Sequence, residues 1–118
     1  MFLTTLLAGL WGEWVARRAL QREGFQILGR RIQPDRRHEI DLIARDGDVL
    51  VFVEVKMRRT DAFGAPSSAV NRKKRRALNR AALRYLKRLR TPPAFFRFDV
   101  VEVIGAPFSK NPVIRRIE

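Results

Sequence analysis

Residues 39–59, EIDLIARDGDVLVFVEVKMRR, decide how this chain folds. Two segments of β-branched and alternating character, 39–45 and 48–56, flank Asp46-Gly47, a dipeptide suited to the positive φ angles of a tight type I′ turn. The reading is a β-hairpin. With Asp46 and Gly47 as the loop, Arg45 faces Asp48, Ile43 faces Leu50, Asp41 faces Phe52 and Glu39 faces Glu54. Side chains alternate between faces, so Glu39, Asp41 and Ile43 share one face with Leu50, Phe52, Glu54 and Lys56. Val49, Val51, Val53 and Val55 line the other and are expected to pack under a helix. Because Leu50 and Phe52 are apolar too, the second strand should be central and covered on both sides.

Working outward, Leu6, Leu7, Leu10, Trp14, Val15 and Leu20 recur at helical spacing from about Thr5 to Glu23, and Gly24 supplies a C-terminal stop. Residues 25–33, FQILGRRIQ, read as a first strand closed by Pro34 and a polar turn. After the Gly/Pro/Ser loop DAFGAPSSAV, Asn71 is a good N-cap for a second helix over about Arg72 to Leu89. Its apolar stripe is Ala77, Leu78, Ala81, Ala82, Tyr85, Leu86 and Leu89. FFRFDVVEVI (95–104) is a further strand, and PVIRRIE adds a short one. The order α-β-β-β-α-β predicts an α/β sandwich with a mixed central sheet flanked by helices, a single domain over 1–118. A chain of this length can bury roughly two thirds of its unfolded surface.

Composition narrows the function. There are 25 Lys+Arg against 12 Asp+Glu, a net charge of +13, which favours a polyanionic partner. The basic residues are concentrated: no Asp or Glu occurs between Ala62 and Phe98, and 72–90 carries ten cations in nineteen positions. Like charges at i, i+4 cost helix stability unless an anion offsets them, so Arg72, Lys73, Lys74, Arg75, Arg76, Arg80 and Arg84 are the candidate nucleic-acid contacts, through the phosphate backbone. Phe63 and Phe95 could stack on bases, but core packing is the plainer reading of both. With no cysteine and one histidine, thiolate and multi-histidine metal sites are excluded, and a cytoplasmic setting is expected. No segment has the 18 or more apolar residues of a membrane span, so no membrane partner is expected.

Glu54-Val55-Lys56 puts a carboxylate and an ammonium on one side of a strand with a carbonyl between them. Mg²⁺ or Mn²⁺ takes hard oxygen ligands and is held by one or two carboxylates plus substrate phosphate, which suits Asp41, Glu54 and the Val55 carbonyl. Lys56 can hold or deprotonate the attacking water, or balance charge on phosphorus. Glu13, brought over by the first helix, could complete the cluster; Glu39 points the same way from the rim.

GEWVARRAL, HEIDLIARDGDVLVFVEVKMR, FGAPSSAV, KRRALNRAALRYL and RFDVV, from about Gly12 to Val101, together resemble the YraN family of small bacterial proteins in the restriction-endonuclease-like PD-(D/E)xK superfamily. The layout is also similar to archaeal Holliday-junction resolvases. The resemblance implies a restriction-endonuclease-like core, Asp41 and Glu54 as metal ligands, Lys56 as catalytic lysine and Glu13 as an accessory acid. The literal Pro-Asp of the superfamily name falls at Pro34-Asp35, but Asp35 sits in the turn, and strand parity selects Asp41. His38 stands where similar proteins carry Gly.

The expected function is a Mg²⁺- or Mn²⁺-dependent endonuclease acting on DNA, including structured or branched DNA. Its competitors are a nucleic-acid-binding protein that keeps the nuclease fold without turnover, and a small RNA- or ribosome-associated basic protein. A homodimer would let two strands be cut in symmetry, and the Leu/Trp-rich N-terminal segment offers either an interface or core.

Overall fold

The computed structural model describes residues 2–35, 38–59 and 72–118. The elements follow the expected order: α1 (Phe2–Arg22), β1 (Gln26–Ile32), β2 (Ile40–Asp46), β3 (Val49–Arg58), α2 (Arg72–Lys87), β4 (Phe95–Ile104) and β5 (Val113–Ile117). The Asn71 cap, the FGAPSSAV loop and Phe63 lie outside the described residues.

The five strands form one mixed sheet in the order β1-β2-β3-β4-β5. Neighbours are antiparallel except β3 and β4, which run parallel from Val49↔Phe95 to Arg58↔Ile104. A parallel pair needs a crossover connection, and α2 lies in it. β3 is central, as its two apolar faces require. Its valines do pack under a helix: Val51 and Val53 join Leu42, Ala44, Val101 and Val103 against Ala16 and Leu20 of α1. On the opposite face Ile43, Leu50 and Phe52 pack against Ala81 and Ala82 of α2. The result is a three-layer α/β core of the restriction-endonuclease-like kind, with one helix on each side of the sheet.

One expectation is corrected here. The hairpin register is Asp46↔Val49, Arg45↔Leu50, Ala44↔Val51 and Ile43↔Phe52, so the loop is Gly47-Asp48 and not Asp46-Gly47. Gly47 has φ 63° and Asp48 is not among the residues with positive φ, so the left-handed position comes first, the type II′ pattern. The shift is by two residues and leaves every side chain on its face, so hydrophobic patterning could not distinguish the two registers. The Leu/Trp-rich part of α1, open between interface and core, is divided. Leu6, Leu7 and Trp14 are 46%, 46% and 50% exposed, while Gly12, Ala16 and Leu20 face the sheet. A 21-residue helix is about 31 Å long against about 23 Å for the seven-residue β1 and β2, and its leading turns stand off the sheet over a hollow lined by Leu6 and Leu10 on one side and Asp41 and Val55 on the other. None of the described helices is long and apolar enough to cross a membrane.

Candidate active site

The two strands of the hairpin part just past Leu42↔Val53, the last pair of their ladder away from the turn. Asp41 stands at the parting point and compensates for it: its Oδ2 accepts a hydrogen bond from the Val55 amide at 2.8 Å. Alternation along β2 breaks here too, since Ile40 packs with Ile43 on the α2 side, where regular parity would send it toward α1. Asp41 is thereby turned onto a hollow of about 330 Å³ under α1, shared with Glu13, Arg31, Glu39 and Val55. Glu54, buried, opens onto the α2 side of the sheet. The carboxylates meet, but at a strand fork and not as same-face neighbours in a regular ladder.

Their proximity shows in the chemistry. Burial, then the negative charge of Glu54 and a hydrogen bond to Glu54, push the Asp41 carboxyl from 3.8 up to about 7, against the opposing pull of the Val55 amide and Lys74. A buried and a half-buried carboxylate this close do not both ionise readily without a cation beside them.

Two lysines supply positive charge. Lys56 Nζ lies 3.6 Å from Glu54 Oε1, and the Lys74 ammonium, reaching down from the first turn of α2, donates to the same oxygen. The ammonium groups also touch each other. Contact with Lys74 and burial lower the pKa of Lys56, while Lys74 is held above its ordinary value: burial opposes this, and bonds to Glu54 and Lys56 and the charges of Glu54 and Asp41 prevail. Lys74 was expected among the phosphate contacts, and its place at Glu54 is what the sequence reading missed. It stands at the apolar edge of the amphipathic pattern, one turn before Leu78, where a long side chain can face water or fold inward.

The remaining site residues fall as follows. Glu13 lines the same hollow as Asp41 and pairs with Arg31 at 3.7 Å. Arg31 has φ 49°, unusual for a side-chain-bearing residue in a strand. Glu39 lies at the rim of that hollow. Asp35 accepts a hydrogen bond from the His38 amide at 3.0 Å and lines a separate hollow with Arg80, Arg84 and Lys87, away from Glu54. Among the described residues no three His, Asp or Glu side chains gather as a metal-binding group. Along α2, Arg72, Lys73, Arg75, Arg76, Arg80 and Arg84 are exposed, a cationic face beside the acid pair. Phe95 is 62% exposed and is not core.

A family model described as "Uncharacterised protein family UPF0102" matches residues 12–103. The chain belongs to the UPF0102 family. Among UPF0102 relatives, a protein of Symbiobacterium thermophilum is 50% identical over 96 residues, covering 81% of this chain and 80% of its own. A Desulfosudis oleivorans protein is 45% identical over 97 residues, 82% of this chain and 78% of its own. One from Chlorobaculum tepidum is 38% identical over 105 residues, 89% and 81% of the two chains. The UPF0102 match begins at Gly12, where the YraN-like motifs begin, and runs two residues past Val101, where they end. It encloses Glu13, Asp41, Glu54, Lys56 and Lys74.

Proposed function

We propose that this UPF0102 chain is a divalent-metal-dependent nuclease that hydrolyses phosphodiester bonds in DNA. The observation that carries the reading is the strand fork where Asp41 and Glu54 meet beneath the cationic face of α2, with Lys56 alongside. The donor set fits a hard cation. Asp41, Glu54 and the Val55 carbonyl oxygen would hold Mg²⁺ or Mn²⁺, and the pressure between the two carboxylates is what such an ion relieves. When bound, it supplies Lewis-acid polarisation of a phosphoryl oxygen.

The chain's own groups do the rest. The exposed arginines of α2 hold the backbone phosphates and orient the strand across the fork. Lys56 positions the attacking water or takes its proton, and its ammonium offsets negative charge that grows on phosphorus. Glu13, reached across the α1 hollow from Asp41, is placed to bind a second water or to orient the first. The Arg31 guanidinium holds that carboxylate in place.

A second reading has its own support. Lys74 already sets a positive charge on Glu54, and no third acid closes on the pair among the described residues. A protein that binds nucleic acid on the nuclease fold without cutting it would need nothing more. The test is cleavage of end-labelled single strands, duplex, flap and four-way junction, in DNA and RNA, with Mn²⁺ or Mg²⁺. Cutting lost in Asp41→Ala and Lys56→Ala supports the nuclease. Tight binding with no cutting by the unaltered protein selects the second reading, and neither binding nor cutting ends both.

A further inference from the structure

A cavity of about 480 Å³ opens beside Glu54, between α2 and the β3–β4 part of the sheet. It is inside the size range of sites that take small organic ligands. Its walls are of two kinds. Phe98, half-buried and 5.5 Å from the Phe52 ring, forms an apolar floor with Val100, and Leu78 comes down from α2. Glu54 and Asn79 put polar groups at the edge, and Arg75 stands on the α2 wall.

That combination excludes simple occupants. A wholly apolar ligand would set the Asn79 amide against an apolar surface. A bare anion would meet the carboxylates of Glu54, Asp99 and Glu118, all in the lining. What fits is a flat group with apolar faces and N–H donors on its rim, joined to a phosphate that Arg75 can meet. This describes a nucleobase in a polynucleotide. A base stacked in a duplex cannot enter such a cavity; it must be unpaired or turned out.

We propose that this cavity receives one unpaired nucleobase of the strand whose backbone crosses Glu54 and Lys56, so that the substrate class is nucleic acid with a single-stranded or extrahelical nucleotide. The inference rests on the nucleic-acid reading of the site. Glu54 is common to both, which fixes the base within about one nucleotide of the phosphate at the fork.

Short DNA duplexes with a one-nucleotide adenosine bulge, the same bulge without its base, and no bulge are the probes, since the bulge fixes the register. Binding is followed by fluorescence anisotropy in EDTA and cleavage separately with Mn²⁺. The adenosine bulge should bind about five- to tenfold more tightly than the abasic bulge, in line with stacking of a single base. Val100→Phe, which fills the cavity from a strand position, should abolish that difference and leave perfect-duplex binding unchanged. Equal affinity for the two bulges overturns the inference, whatever the variant does. Base-dependent binding without cleavage keeps the cavity and removes the nuclease; cleavage indifferent to the bulged base does the reverse.

Discussion

At the scale of single residues, Asp41 links structure to chemistry most directly. Its carboxyl titrates at 3.8 in an unfolded chain and at about 7 when burial and Glu54 act on it. Between those values the folded protein holds a proton that the unfolded chain has released. Its contribution to stability is therefore complete below about pH 4 and lost as pH rises through about 7. In metal-free buffer the melting temperature of the parent protein, relative to Asp41→Asn, should fall across that window. Added Mn²⁺ should restore it most above pH 7. A difference between the two proteins that does not change with pH would mean that Asp41 is not buried against Glu54 in solution. Lys56 and Lys74 share one carboxylate oxygen at the fork, so their substitutions are expected to be non-additive.

Gly47 shows how a residue carries into its element. Its φ of 63° begins the hairpin loop, and a side chain there is strained although space is open around it. Gly47→Val should cost about 1–2 kcal/mol in urea denaturation. A neutral result would place the turn elsewhere.

On the scale of whole elements, α2 has two jobs on two sides. Ala77, Leu78, Ala81 and Ala82 are buried against the sheet, and the exposed arginines leave no reason for folding to need them. Replacing Arg76, Arg80 and Arg84 with Gln should leave the melting temperature nearly unchanged. It should reduce the slope of log affinity against log salt by about 2–3, one phosphate contact per arginine. An unchanged slope would move the nucleic acid off this face. The charge pattern of this helix was legible in the sequence because exposure follows from helical periodicity. The lysine that leaves the pattern was not legible, since a long flexible side chain near the apolar edge can face water or fold inward, and only a buried Glu54 across the gap decides between them.

For the molecule as a whole, the far end of the sheet depends on charge buried in the core. Asp99 is 1% exposed and accepts hydrogen bonds from Arg97 at 3.0 Å and from Arg116 at 3.2 Å, coupling β4 to the C-terminal β5. Arg116 also reaches Glu23 at the end of α1 and lies over the Phe25 ring. Asp99 is the buried member, whereas Arg97 and Arg116 keep 25% and 28% of their side chains exposed and have further acids in Asp46, Glu23 and Glu118. Asp99→Ala should therefore lose about 1–3 kcal/mol in denaturant unfolding through its charged hydrogen bonds, more than loss of an exposed acid such as Asp48. A loss no larger than that of Asp48→Ala would show that the two arginines are held equally well by their other acids.

The sequence by itself determined the order of elements, the central position of β3, the faces of the hairpin as far as the Leu42↔Val53 pair and the kinship that its motifs carry. These depend on local preference and on alternation, which neighbouring residues already fix. Tertiary structure decided the hairpin register, since two tight turns one residue apart shift the pairing by two and bury the same side chains. It also set the leading turns of α1 free of the sheet, buried Asp99 among arginines, and brought Lys74 from a distant helix onto Glu54. Each of those outcomes depends on how far two elements stand apart, and that distance is set by packing across the layers, where no single stretch of sequence has a say.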